Sequence, residues 1–150
     1  VIFLMRDPVE RAWSQLRRNN RFALENKKKK TSPQQELKQL KKFYKGKSCI
    51  KRTRYDMISQ KLESIFKPNE IFYGFYETLF SQPEINRLTN FLESPTISPD
   101  FSEVVHASPK SNTEAFGLDE LLFEIRAFYA PTYSWAHDRF GDAVPDAWGA

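Results

Sequence analysis

The sequence predicts an α/β domain in which parallel strands are flanked by helices. Two short apolar segments, 1–5 and 70–76, have the character of strands, and long stretches with helical periodicity separate them. Strands that alternate with helices along a chain favour a parallel sheet. The chain has 150 residues, of which 40% are hydrophobic, and this is enough for one domain with a core of its own.

The chain opens with a strand that leads directly into a helix. Residues 1–5 are all apolar, which predicts a buried strand. A helix over 8–22 follows, because four apolar residues recur at the spacing of one helical face: Val9, Ala12, Trp13 and Leu16.

The rest of the chain continues the alternation. Beyond a polar loop, the patterns predict helices over 34–44 and 50–66, a strand over 70–76 and a helix over 83–93. An irregular stretch covers 94–116, and helices over 118–130 and 132–140 come next. Gly141 is a typical helix stop, so residues 142–150 are expected to be a surface tail.

Charge is unevenly divided along the chain. Residues 1–67 contain 19 basic and 6 acidic residues, a net charge of +13, whereas 68–150 contain 4 and 13, a net charge of −9. We expect the two halves to attract each other and the positive half to offer excess potential to an anionic ligand. The run Lys27–Lys30 is either a solvated loop or a patch that steers a polyanion.

Composition excludes several kinds of protein. With one cysteine and two histidines, the sequence predicts neither an intrachain disulfide nor a metal centre. The longest apolar runs are far shorter than the roughly 20 residues of a membrane helix. Residues 1–5 lack the features of a signal peptide, which together with the lone Cys49 favours a cytoplasmic protein; localisation is left open, since a signal or membrane anchor could precede Val1. A chain that starts inside a strand is expected to be a fragment.

The junction between the first strand and its helix carries a complete helix-start pattern. Asp7 is suited to the N-cap, Pro8 to the first helical position, and Glu10 to the position that closes a capping box. Ligands of α/β folds bind where parallel strands end, and the free amides of a helix start favour an anion there.

Two side chains at this junction suit phosphate oxygens. Arg6 carries a fork of donors at the end of the strand, and Ser14 adds a hydroxyl two turns along the helix. Together they predict a phosphate clamp. The alternative is that Arg6 forms a structural salt bridge with Asp7 or Glu10 while Ser14 lies on the helix surface.

The junction resembles the 3′-phosphate-binding motif of sulfotransferases that use 3′-phosphoadenosine 5′-phosphosulfate (PAPS). The matching residues are Arg6, Asp7, Pro8, Arg11 and Ser14. The resemblance implies that Arg6 and Ser14 hold the 3′-phosphate and that no metal is required. It also implies a partial sulfotransferase fold of the P-loop-NTPase-like kind, with its N-terminal part missing. Arg11 is expected to be structural and to tie the helix to its neighbours.

Weaker similarities extend along most of the chain. Tyr55 matches a family tyrosine near the nucleotide pocket, although it also completes an apolar helix face. Glu77 ends the second strand, and the resemblance implies a structural role for it instead of general base catalysis. Residues 101–113 resemble the loop that closes over the nucleotide, where Lys110 is either a phosphate contact or an ordinary surface residue.

The resemblance implies transfer of a sulfuryl group from PAPS to a hydroxyl or amine of a carbohydrate or small acceptor. The loop that grips the 5′-phosphosulfate and the catalytic base are expected upstream of Val1, since no glycine-rich phosphate loop occurs here. Residues 1–150 are therefore expected to be the C-terminal portion of one sulfotransferase domain and to be inactive alone. The acceptor and the oligomeric state are left open.

A second hypothesis is a basic module that binds nucleic acid or another polyanion without catalysis. It is motivated by the positive half of the chain and by the aromatic residues interspersed among its cations, namely Phe22, Phe43, Tyr44 and Tyr55. Bases of a single strand stack on such residues. No named nucleic-acid-binding motif is present.

Overall fold

The computed structural model describes residues 1–27, 31–102 and 117–149. Two strands, β1 (Ile2–Met5) and β2 (Phe72–Phe75), pair in parallel, with Ile2 opposite Phe72 and Met5 opposite Phe75. Helices separate them in the chain, so the predicted α/β architecture with parallel strands and flanking helices is confirmed.

The predicted helices are found in the predicted order, but one of them is divided in two and the short α5 was not predicted. They are α1 (Pro8–Lys27), α2 (Pro33–Phe43), α3 (Lys47–Thr53), α4 (Tyr55–Glu63), α5 (Tyr76–Leu79), α6 (Gln82–Phe91), α7 (Leu118–Phe128) and α8 (Ala130–Phe140). Short 3₁₀ helices lie at Pro68–Glu70, Gly141–Ala143 and Asp146–Trp148. Of the lysine run, residues 28–30 lie outside the described residues, as does most of the stretch 94–116.

The expectation that β1 is a buried strand is wrong for most of its length. Met5 is buried, but Ile2 and Leu4 are each 46% exposed. These two side chains share one face of the strand, because successive residues of a strand point to opposite sides. On β2 the same face of the sheet is covered by α6, whose Phe91 packs against Phe72, so it is the β1 part of the face that remains half exposed.

The single helix predicted over 50–66 is two helices, with a break at Arg54. The backbone of Arg54 leaves the helical conformation, at φ −75° and ψ 75°. Its guanidinium forms a bidentate pair with Asp56, with contacts of 2.9 and 2.6 Å, and Thr132 of α8 donates to the same carboxylate at 3.0 Å. Asp56 is a local partner of Arg54, whereas Thr132 reaches the same carboxylate through the packing of α8 against α4.

The core forms where α1 packs between α2, α3 and α7. The predicted apolar face of α1 is buried as expected, and α7 adds Leu121 and Ile125. Gly141 ends α8 as predicted, with a positive φ of 52° that favours glycine. The surface tail predicted over 142–150 is wrong, since Val144 and Trp148 are buried in the core.

Candidate phosphate-binding site

Asp7 caps α1, as predicted, and it does so from a buried position. Its Oδ1 accepts a hydrogen bond from the backbone N–H of Glu10 at 2.9 Å, and the residue is only 2% exposed. Its Oδ2 accepts from the Tyr133 hydroxyl at 2.7 Å and lies 3.7 Å from the guanidinium of Arg126. The anion at this helix start is therefore the chain's own carboxylate, which corrects the expectation that a ligand binds the helix amides.

The predicted capping box between Asp7 and Glu10 is only half formed. The backbone N–H of Asp7 donates to Oε1 of Glu77, at 2.8 Å, and not to Glu10. Glu77 follows β2, so the parallel pairing of the strands brings its carboxylate to the start of α1. This contact agrees with the structural role expected for Glu77. Its other oxygen, Oε2, is buried and has no hydrogen-bond partner among the described residues.

Tyr55 holds the backbone of Arg6 from the interior. Its hydroxyl donates to the carbonyl oxygen of Arg6 at 2.9 Å and accepts from the N–H of the same residue at 3.3 Å. Tyr55 is 2% exposed, and its ring meets those of Phe3 and Trp148. Burial raises the pKa of Tyr55 well above its ordinary value, so the hydroxyl keeps the proton that it donates.

With its backbone fixed in this way, Arg6 places its side chain at the surface. The guanidinium lies over the ring of Tyr76, 4.8 Å from its centroid, and one nitrogen lies 3.2 Å from Oε2 of Glu10. The salt bridge between Arg6 and Glu10, which was the alternative to a phosphate clamp, is therefore present. Both of its members are partly exposed to solvent.

Arg6 and Ser14 line one open cavity of about 720 Å³ that runs along α1. Four arginines line it, from the end of β1, from α1 and from α3: Arg6, Arg11, Arg18 and Arg52. The remaining lining residues are Ser14, Gln15, Asn19 and Phe22. None of these lining residues is acidic, so the cavity is strongly positive and suited to an anion.

The four arginines differ in how they are held. Arg11 donates to Gln15 at 3.1 Å and to Thr53 of α3 at 3.2 Å, which ties the helices together as expected. Arg18 and Arg52 are exposed and have no ion-pair partner in the described ranges. Both were missed in the sequence, although Arg18 lies one turn beyond Ser14 on the same helix face.

The structure therefore brings together two of the four predicted site residues, Arg6 and Ser14. Tyr55 lies behind Arg6 and contacts its backbone, and Lys110 lies outside the described residues. Tyr44 is fully buried and Tyr55 nearly so, which removes two of the four aromatic residues suggested as stacking platforms for nucleic acid bases.

Two further properties concern the described part of the chain as a whole. No group of three or more histidine, cysteine or acidic residues in it is arranged to hold a metal ion. None of its helices is both long enough and apolar enough to cross a membrane.

One comparison with known proteins gave a match. Residues 1–121 match the family model described as a sulfotransferase domain. Searches of curated proteins and of solved structures gave no significant match. The matched range contains the whole junction, from β1 through Ser14, and also Tyr55 and Glu77. The chain thus belongs to the sulfotransferase domain family.

Proposed function

We propose that this chain forms the 3′-phosphate-binding part of a PAPS-dependent sulfotransferase. The complete enzyme transfers a sulfuryl group to a hydroxyl or amine of a carbohydrate or small acceptor. The observation that supports this most directly is that Arg6 and Ser14 line one arginine-rich cavity at the strand end where α/β folds bind ligands.

The described contacts give each residue a task in this proposal. Arg6 donates two parallel hydrogen bonds to the phosphate, and Ser14 donates a third. Glu10 does not prevent this, because an exposed ion pair contributes only about 0.2–1 kcal/mol. Tyr55 and Glu77 fix the backbone of residues 6 and 7, so the guanidinium is held in place before the ligand arrives. Lys110 is retained as a proposed phosphate contact.

We further propose that the chain is the C-terminal portion of a larger sulfotransferase domain and does not transfer sulfate efficiently alone. The half-exposed face of β1, formed by Ile2 and Leu4, supports this, because interior strands of such sheets are covered on both faces. Sulfuryl transfer needs groups that hold the 5′-phosphosulfate and a base beside the acceptor. In this proposal they belong to the remainder of the domain.

The experiment that tests the proposal measures binding of 3′-phosphoadenosine 5′-phosphate by calorimetry, with adenosine 5′-phosphate as the ligand that lacks the 3′-phosphate. We expect Arg6→Ala to weaken binding of the first ligand about 10-fold to 100-fold, since a hydrogen bond to a charged group contributes about 1.5–3 kcal/mol. Binding of the second ligand should change little.

Lys51→Ala is the matched control. It removes one positive charge from α3, the helix of Arg52, at a residue that does not line the cavity. Equal affinity of Arg6→Ala and Lys51→Ala for the 3′-phosphorylated nucleotide would reject the assignment of Arg6.

The nucleic-acid hypothesis is less well supported by the same observations. Base stacking along a single strand needs successive exposed aromatic rings among cations, and two of the suggested rings are buried. Steep, sequence-independent weakening of RNA binding with added salt would favour that hypothesis. Absence of RNA binding at physiological salt would exclude it.

A further inference from the structure

We infer that Tyr76 is a positioning residue for the 3′-phosphate, because its ring holds the guanidinium of Arg6 beside the cavity. The inference rests on the proposed function, which assigns the 3′-phosphate to Arg6 and Ser14. It goes beyond that function because it gives a task to an aromatic residue that lies outside the junction and is not among the described residues that line the cavity.

Parallel pairing of the strands places Tyr76 beside Arg6. β1 and β2 end opposite each other, so the two residues that follow β1 meet the two that follow β2. Glu77 accepts a hydrogen bond from the backbone N–H of Asp7 at 2.8 Å. The guanidinium of Arg6 lies over the ring of Tyr76, 4.8 Å from its centroid. Tyr76 therefore supports a side chain at the site where Glu77 supports the backbone.

The two partners of the Arg6 guanidinium differ in what they leave free for a ligand. Oε2 of Glu10 lies 3.2 Å from one guanidinium nitrogen and occupies a donor that a phosphate would use. The face of an aromatic ring attracts the positive charge as a whole and does not bind a particular N–H as a carboxylate oxygen does. A bound phosphate therefore replaces Glu10 and leaves the contact with Tyr76 in place.

Holding the guanidinium before the ligand arrives strengthens binding. A long side chain that is already restrained loses less conformational freedom when it binds. Cation–π contacts strengthen as the cation is removed from water, and the side chain of Arg6 is only 30% exposed. We therefore expect loss of the Tyr76 ring to weaken phosphate binding about 3-fold to 10-fold.

A neighbouring ring provides a matched control. Phe80 lies four residues after Tyr76, and the two rings meet edge to face with their centroids 5.6 Å apart. Both rings are more than 40% exposed, so neither belongs to the buried core. Phe80→Leu removes an aromatic ring from the same edge of the sheet, and leucine still packs against Tyr76.

Calorimetry with two nucleotides tests the inference. The probes are 3′-phosphoadenosine 5′-phosphate and adenosine 5′-phosphate, which lacks the 3′-phosphate. We expect Tyr76→Leu to weaken binding of the first about 3-fold to 10-fold and to change binding of the second less than 2-fold. Tyr76→Phe keeps the ring and should bind both nucleotides as the unmodified protein does. Phe80→Leu should change neither affinity by more than 2-fold, and thermal unfolding of each variant verifies that it is folded.

A double-mutant cycle separates positioning from direct contact with the nucleotide. In the Arg6→Ala variant there is no guanidinium to hold, so the additional change Tyr76→Leu should not weaken binding of the 3′-phosphorylated nucleotide further. A ring that touched the nucleotide itself would lower affinity by the same factor in both backgrounds.

Three results would overturn the inference. One is unchanged discrimination between the two nucleotides in Tyr76→Leu. Another is an equal effect of Tyr76→Leu with and without the Arg6 guanidinium, which would assign the ring to the ligand. The third is a loss in Tyr76→Phe as large as in Tyr76→Leu, which would assign the effect to the hydroxyl.

The outcome also separates this inference from the proposed function. Binding of the 3′-phosphorylated nucleotide that depends on Arg6 but not on Tyr76 rejects the positioning role and leaves the proposed function intact. Absence of nucleotide binding in the unmodified protein rejects both.

Discussion

Replacing Tyr55 by Phe removes the hydroxyl that holds the backbone of Arg6 while the buried ring remains. Two hydrogen bonds are lost, at 2.9 and 3.3 Å. A typical bond contributes about 0.5–1.5 kcal/mol to stability, so we expect a loss of about 1–3 kcal/mol. For a domain of this size each kcal/mol corresponds to about 2–4 °C in Tm, and a central value of about 2 kcal/mol therefore predicts a decrease of about 4–8 °C.

The same substitution should also weaken nucleotide binding, because the backbone of Arg6, from which the guanidinium projects, is no longer fixed by hydrogen bonds. We expect affinity for 3′-phosphoadenosine 5′-phosphate to fall about 5-fold to 10-fold in calorimetry, with little change for adenosine 5′-phosphate. A merely structural role for Tyr55 would not produce this difference between the two ligands.

Tyr129→Phe is the matched control for this prediction. Its hydroxyl is also buried, and it donates to the carbonyl oxygen of Tyr44 at 2.7 Å; Tyr129 does not line the cavity and does not contact Arg6. The control should lose comparable stability and keep its affinity for both nucleotides. If Tyr55→Phe lowered Tm but bound the 3′-phosphorylated nucleotide as tightly as Tyr129→Phe does, the positioning role of Tyr55 would be refuted.

Two further substitutions test contacts that support the junction and the α3–α4 break. Glu77→Ala should lower the free energy of unfolding in urea by about 1–3 kcal/mol, because the buried N–H of Asp7 loses its acceptor. Glu77→Gln should keep most of the stability, because its amide oxygen still accepts this hydrogen bond. Equal losses in the two variants would show that the charge of Glu77, and not the hydrogen bond, matters. Burial opposes ionisation of Asp56, but hydrogen bonds from Arg54 and Thr132 outweigh it and hold its pKa below the ordinary value. The stabilisation by this carboxylate is therefore present above about pH 4 and is lost as the pH falls through the folded-state pKa. The Tm difference between the unmodified protein and Asp56→Asn should shrink between pH 6 and pH 3, and a constant difference would contradict this reasoning.

Local patterns were sufficient to predict the part of the site that lies within a few residues of the chain. The start of α1 was predicted because Asp7 and Pro8 are direct neighbours of the helix and act through local hydrogen bonds. The apolar face of α1 was predicted because helical spacing alone decides which residues share a side. Arg6 and Ser14 were found by the same local reasoning, helped by the family resemblance.

The contacts that were missed join residues far apart in the sequence. Glu77 takes the place expected for Glu10 because parallel pairing of β1 and β2 brings it to Asp7, 70 residues away. At the break at Arg54, Asp56 is a local partner, but the hydrogen bond that Thr132 of α8 donates to Asp56 comes from 76 residues away and does not show in the local pattern. Arg52 reaches the cavity through the packing of α3 against α1, which sequence spacing cannot show.

Trp148 is buried and packs against residues that support the junction between β1 and α1. Its indole meets the rings of Tyr55, Phe75 and Tyr133, of which the first holds Arg6 and the last holds Asp7. Trp148 does not line the cavity and lies outside the range matched by the family model. We therefore expect substitution of Trp148 to loosen the support of Arg6 and Asp7 without changing any residue that lines the cavity, and a search restricted to the residues of the strand–helix junction would overlook it.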